Sequence, residues 1–203
     1  MWIIGLLGGI CSGKSFVARE FERHRAEVFE ADRVVHSLLD TPNVRDQIVD
    51  YFGADVLNSA GRIDRRRLAG RVFGTAPDAV RHRLWLESLL HPLVRQELER
   101  MIERSAAAGR WAFVIDAPLL LEANWSTLCH RLIYIDSSED LRYARGSERG
   151  LGPDEIVSRE VAQISLNLKK IRADFVIVNS ADWQQTTNQV ARIVDHLKQS
   201  PCL

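Results

Sequence analysis

Four stretches of the chain are apolar without interruption or nearly so: Trp2 to Leu7, Trp111 to Ile115, Leu132 to Ile135 and Phe175 to Val178. A fifth, Glu27-Val-Phe-Glu30, is short and has strand composition. Continuous apolar runs separated by helical patterns predict a parallel sheet covered on both faces. Helical periodicity is read over Phe16 to Arg25, from Val34 through Leu39, over Val44 to Phe52, and over Trp183 to Gln199, with Val190, Ile193, Val194 and Leu197 on one face of the last. The fold class predicted is therefore α/β, a five-stranded parallel sheet flanked by helices. The strands after the first each lead into a polar residue: Asp32 just after the second, then Asp116, Asp136 and Asn179. In a parallel sheet these gather at the carboxyl edge, where open α/β folds bind ligands.

Two segments exceed what a simple crossover needs. From Arg65 to Ala108 the pattern is almost continuous helix, with a start expected at Pro77 after Thr75 or Ala76, and an interruption at His91-Pro92. That block of about 45 residues is far longer than ordinary connections and reads as an inserted helical subdomain that holds a second substrate. Ser138 to Arg172 is polar, helical and rich in arginine, broken at Gly150-Leu-Gly-Pro153, and reads as a lid. The expected organisation is a nucleotide-binding core over about 1–40, 110–137 and 173–203, an insertion over about 41–109, and a lid over about 138–172. Thr41-Pro42 separates two helices, Asp50-Tyr-Phe-Gly53 reads as a helix C-terminus, and Asn58 to Gly61 as a turn.

Chemistry enters where the first strand meets its helix. Gly8-Gly-Ile-Cys-Ser-Gly13-Lys14-Ser15 matches Gly-x-x-x-x-Gly-Lys-Ser between a strand and a helix, the context a phosphate-binding P-loop requires. Gly8, Gly9, Ile10, Cys11, Ser12, Gly13, Lys14, Ser15 and the adjoining Phe16 are the candidate nucleotide-binding residues. Loop N–H groups and the helix N-terminus favour phosphate oxygens. Lys14 reaches the β- and γ-phosphates, and Ser15 can ligate Mg²⁺. No Asn-Lys-x-Asp for guanine is present, and the strand from Trp111 ends in a lone Asp116 followed by Ala117-Pro118. This favours a small-molecule kinase using ATP and Mg²⁺ over a GTPase or a motor.

Composition narrows the partners. The 203 residues are 46% hydrophobic and 27% charged, enough for one sizeable core with a soluble surface. Because 27 basic side chains balance 27 acidic ones, no global field recruits nucleic acid or a membrane. Arginines do cluster locally, at Arg62 to Arg71 and at Arg131 to Arg149. Three cysteines, Cys11, Cys129 and Cys202, lack metal or disulfide spacing, which favours a reducing cytosol. The chain enters its first strand without a basic leader, and no apolar run approaches the ~20 residues of a membrane span. A cytoplasmic protein acting on small molecules is expected.

Along nearly its whole length the chain resembles the dephospho-coenzyme A kinase family. Gly5-Leu-Leu-Gly-Gly-Ile-Cys-Ser-Gly-Lys-Ser15 stands where the family has Gly-Leu-Thr-Gly-Gly-Ile-Gly-Ser-Gly-Lys-Ser, and Glu30-Ala-Asp32 where it has Asp-Ala-Asp. Phe52-Gly53, Ile63-Asp64-Arg65 with Leu68, Val72-Phe73, His91-Pro92-Leu-Val-Arg95, and Pro118-Leu119-Leu120 with Glu122 and Trp125 follow in the family's order. Arg145, Arg149, Gln163, Lys169, Ala173-Asp174, Val176-Ile177 and Asn179 complete the series. The departures are Leu7 for threonine, Cys11 for glycine, Arg149-Gly-Leu-Gly-Pro for Arg-Asp-Gly or Arg-Asp-Asp, and the absence of glycine after Asn179.

The resemblance implies transfer of the ATP γ-phosphoryl group to the ribose 3′-hydroxyl of dephospho-coenzyme A. Asp32 is then the residue that orients the acceptor hydroxyl and takes its proton, against its alternative as a helix N-cap. Arg145, ahead of Arg149, closes onto the ATP phosphates. Arg65, His91 and Arg95 belong to the acceptor pocket, with a structural cap the equal alternative for His91. Pro118, Leu119 and Leu120 form a wall against the acceptor, and Glu122 fixes a neighbouring cation or hydroxyl. Asp116 holds a Mg²⁺ water, bonds Ser15, or merely ends its strand, and Asn179 approaches the adenine edge. Cys11, beside Lys14 at a helix start where thiol pKa values tend to fall, reads as a tolerated small loop residue. The alternatives are another small-molecule P-loop kinase, separable by its acceptor, and a silent ATP-binding regulator, which has no need of Asp32.

Overall fold

A computed structural model describes residues 1–73, 77–180 and 182–202. Its strands are β1 (Trp2–Gly8), β2 (Glu27–Glu30), β3 (Ala112–Asp116), β4 (Arg131–Asp136) and β5 (Phe175–Val178). The helices are α1 (Lys14–Arg23), α2 (Ala31–Leu39), α3 (Pro42–Phe52), α4 (Arg65–Val72), α5 (Ala79–Ala107), α6 (Glu139–Glu148), α7 (Pro153–Val161), α8 (Leu166–Ile171) and α9 (Trp183–Gln199). The sheet order is β2-β3-β1-β4-β5 and every pairing is parallel. The chain divides into two compact units, Met1–Ala31 with Glu99–Leu203, and Asp32–Leu98.

In the sheet unit, β1 is central because its apolar run can be covered from both sides. Ile4 and Leu6 are fully buried with Val114, Ile133, Ile135 and Ile177 of neighbouring strands. Val17 and Phe21 of α1 and Val190, Val194 and Leu197 of α9 join the same core, and Trp2 Nε1–H bonds the Leu197 carbonyl at 2.8 Å. Full burial of a side chain such as Phe21 contributes about 1.5–3 kcal/mol. Gly5 interrupts β1 for a packing reason: a Cβ there would lie 2.5 Å from Leu120 Cδ2 and 2.8 Å from Leu132 Cδ2. β5 is an edge strand, and the Gln189 amide closes its end by bonding both N–H and C=O of Val178 at 2.9 Å.

In the helical unit, Leu39, Val44, Ile48, Val56, Ile63, Leu68 and Leu90 form a separate core. Tyr51 stacks on Trp85 with ring centroids 3.9 Å apart. Asp64 caps α4, its Oδ1 accepting from the backbone N–H of Arg66 and Arg67. Asn58 Oδ1 accepts from the N–H groups of Ala60 and Arg62 and holds the expected turn.

Three expectations need correction. α5 runs unbroken through His91-Pro92, so His91 is no cap. Proline removes only the bond to the Ser88 carbonyl, and Ser88 and Pro92 are both exposed, leaving water to satisfy it. Pro77 lies in a turn and α5 starts at Ala79; Thr75 and Ala76 lie outside the described residues. α2 starts at Ala31, which puts Asp32 inside the first turn instead of at the N-cap. There a carboxylate still favours the helix dipole.

Candidate active site

The glycine loop emerges from the end of β1 at the carboxyl edge of the sheet. Around it the register aligns Leu6 of β1 with Asp116 of β3, and Asp116 with Glu30 of β2. Asp116 is thus a buried carboxylate at that edge, 8% exposed. α1 begins at Lys14 with no side-chain cap and no acidic residue in its first turn. A helix start of that kind favours an incoming anion. Lys14 folds back over the loop, its Nζ donating to the carbonyls of Gly8 (3.0 Å) and Gly9 (2.8 Å). Ser15, the second residue of α1, is exposed, whereas Phe16 is half-buried and packs against the sheet core. Cys11 takes φ 58°, a left-handed conformation that costs a side-chain-bearing residue about 1–2 kcal/mol. It is 8% exposed, and its Sγ packs beside Gly146 of α6.

The underside of the loop is held from two directions. Asn179, after β5, is buried; its Nδ2 donates to the Ser12 carbonyl at 2.7 Å and its Oδ1 accepts from Thr186 at 3.1 Å. Its side chain therefore grips the loop backbone. At Gly13, φ is +95° and a Cβ would collide with Asn179 Nδ2, so glycine is required twice over. Arg145 of α6 reaches the same Ser12 carbonyl at 3.3 Å. It also donates to Ser137 Oγ (3.0 Å) and to the Ser180 carbonyl (3.2 Å). Arg142, one turn earlier, pairs with Glu160 of α7, and the same carboxylate oxygen accepts the Ile10 N–H at 3.3 Å. Arg149 stands exposed at the C-cap of α6.

Beside the edge, a buried charge network fixes the segment after β3. Lys169 is 1% exposed, and its Nζ donates to Gln163 Oε1 at 2.7 Å. It lies 3.4 Å from Glu122 and 3.5 Å from the Pro118 carbonyl. Burial lowers the Lys169 pKa, and the Glu122 carboxylate opposes that shift. Glu122 also accepts the Ile164 N–H at 2.8 Å, so the cation it fixes is Lys169. Leu120 is core, 1% exposed, whereas Pro118 and Leu119 are half-buried. Asp136 is the last residue of β4 and is paired with Lys170 at 2.7 Å, which raises the Lys170 pKa.

The helical unit carries the remaining candidates. Asp32 is exposed on α2. Arg65, the first residue of α4, places Nη1 2.8 Å from Nε2 of His36. His91 and Arg95 are half-buried and four residues apart on α5, a spacing that puts them on one helix face.

Comparison with known proteins bears on this arrangement directly. The family model described as dephospho-CoA kinase matches residues 2–185. The chain belongs to that family. A dephospho-CoA kinase of Methylococcus capsulatus is 43% identical over 90% of this chain and 89% of its own length. A solved structure from Thermus thermophilus superposes with a TM-score of 0.80 at 28% identity, covering 98% of both chains. One titled dephospho-CoA kinase, from Campylobacter jejuni, gives 0.69 at 22% identity over 96% of both, a likeness of fold. The chain is thus a P-loop kinase that phosphorylates dephospho-CoA with ATP, the last step of coenzyme A biosynthesis. No helix among the described residues is long and apolar enough to cross a membrane.

Sequence reasoning missed Arg142, Glu160 and Ser137 at this edge. The signal for Arg142 was its i, i+3 spacing from Arg145, which places both on one helix face. Nothing local marked Glu160, because its partners are 18 and 150 residues away in sequence.

Proposed function

We propose that the Gly8–Ser15 loop binds the ATP phosphates and that Asp32 activates the ribose 3′-hydroxyl of dephospho-CoA. The observation that carries this reading is the loop itself: an uncapped helix start at the end of the central strand, with Lys14 folded over its carbonyls. Phosphoryl transfer needs charge neutralised and atoms aligned more than it needs covalent chemistry. Loop amides and Lys14 take the β–γ region. Arg145, already anchored to the loop carbonyl, supplies a guanidinium beside it. Asp32 accepts the hydroxyl proton as the 3′-oxygen bonds the γ-phosphorus and the bond from that phosphorus to the bridging oxygen of ADP breaks. Arg65, His91 and Arg95 hold the acceptor, and residues 41–109 form its binding subdomain. Residues 138–172 act as the lid over a core of 1–40, 110–137 and 173–203. Arg149 approaches the nucleotide when that lid closes.

Mg²⁺ fits the donors present. Among the described residues no three His, Cys, Asp or Glu side chains converge. Mg²⁺ typically takes only one or two protein ligands beside phosphate oxygens and water. Ser15 and Asp116 would hold it, and when bound it neutralises charge on the β- and γ-phosphates. Asn179 serves the nucleotide through the loop it grips. The three cysteines are free, which supports a cytoplasmic enzyme.

The test is Asp32→Asn assayed for ADP formation with dephospho-CoA. Turnover should fall about 10²–10⁴-fold, with the melting temperature lowered only slightly, because Asp32 is exposed and its charge gives α2 no more than a modest dipole contribution. Near-full turnover in a normally folded variant would remove Asp32 from the mechanism.

A further inference from the structure

One ion pair lies across the first half of the loop. The Arg142 side chain is only 6% exposed, and its Nη1 is bound to Glu160 Oε1. Its Nε is buried and has no hydrogen-bond partner among the described residues. The pair rests directly on the glycines: a Cβ built on Gly9 would meet Arg142 Nη1 at 2.9 Å and Glu160 Oε1 at 3.2 Å. The same carboxylate oxygen accepts the Ile10 N–H at 3.3 Å. One anionic oxygen therefore takes a loop amide and a guanidinium together, in a loop whose amides suit phosphate oxygens.

We infer that Arg142 is a further phosphate-binding residue, and that Glu160 occupies the place of an ATP phosphate oxygen until the nucleotide arrives. The inference rests on the loop being the ATP site. A triphosphate carries more charge than a carboxylate and offers an arginine a bidentate set of oxygens. It takes both donors from Glu160, and the buried guanidinium exchanges one anion for another without being left unpaired. The unpartnered Nε then gains an acceptor. An internal occupant lowers the apparent affinity by the fraction of molecules in which the site is covered. The two partners consequently act in opposite directions. Arg142 raises ATP affinity and Glu160 lowers it, whereas a merely structural clamp would lose affinity with either residue.

Titration calorimetry with ATP on the full chain separates these cases. Glu160→Gln keeps an oxygen that can accept the Ile10 N–H and removes only the charge, so ATP should bind about three- to tenfold tighter. Arg142→Ala should bind ATP about tenfold or more weakly, and the double variant should resemble Arg142→Ala. AMP, which lacks the β- and γ-phosphates, should be indifferent to both changes. Glu160→Gln binding ATP no tighter than the parent overturns the inference, and it decides alone if Arg142→Ala fails to fold. Lys14→Ala is the control: if it leaves ATP affinity unchanged, the loop is not the ATP site and the underlying reading fails separately.

Discussion

The carboxyl edge of the sheet and the helical unit Asp32–Leu98 present their candidate residues in contrasting ways. At the sheet edge the polar and charged groups are buried or half-buried and already bound: Arg142 to Glu160, Lys169 to Gln163 and Glu122, Asn179 and Arg145 to the Ser12 carbonyl. In the helical unit Asp32 and Arg65 are exposed. Buried polar groups must be satisfied, and a network that meets this condition holds one geometry. Exposed groups carry no such constraint. The difference teaches that the geometry of the proposed phosphate site is set by folding, while the exposed residues proposed for the acceptor side can be changed with little effect on stability.

The largest stability effect expected tests that contrast at Lys169. Lys169→Met leaves Glu122 with a largely buried charge and no cation, and should cost about 3 kcal/mol in denaturant unfolding. Arg65→Ala, on the exposed side, should cost under about 1 kcal/mol. The comparison fails if the two losses are equal.

Legibility followed the same boundary. Strands with continuous apolar runs, and α9 with its clear apolar face, were readable because local pattern and burial agree along the segment. The alternative of Asp32 as a helix N-cap fell because β2 passes into α2 with no turn between them. The break expected at Pro92 failed because an exposed helix face lets water replace the lost bond. At the site, the Gly8–Ser15 loop is one contiguous signature, so it was legible whole. Its supports were legible only in part. Asn179 was found by its position after the last strand, but its bond to the Ser12 carbonyl 167 residues away was not legible. Long-range side-chain pairing of this kind leaves no period in a sequence.

A middle-sized effect sharpens the contrast within the sheet unit. Asn179→Ala removes a buried donor from Ser12 and the acceptor for Thr186. It should cost about 1–2 kcal/mol of stability and raise KM for ATP, with KM for dephospho-CoA little changed. Because Arg145 still reaches the Ser12 carbonyl, the loop keeps one support. An unchanged KM for ATP would mean that the loop holds its shape without Asn179.

The smallest effect concerns the opposite end of β1. His130 Nδ1 accepts the Ile3 N–H at 2.9 Å, so the folded chain requires this nitrogen unprotonated. Partial burial, then the N-terminal amino group and Arg131, lower the His130 pKa below its ordinary 6.5. As pH falls through 6.5 the unfolded chain takes up a proton that the folded chain refuses, so the unfolded state binds more protons and stability falls. The loss ends once pH passes below the folded-state pKa. His130→Gln keeps an acceptor and cannot titrate, so stability measured between pH 7 and 5 should decline less steeply in that variant. ATP affinity should follow the same pH course in both proteins, because His130 lies at the amino end of the sheet and the loop at the carboxyl end. A change in the pH dependence of ATP binding on His130→Gln would mean that β1 transmits charge effects along its length, and that the loop is less independent than its internal bonds suggest.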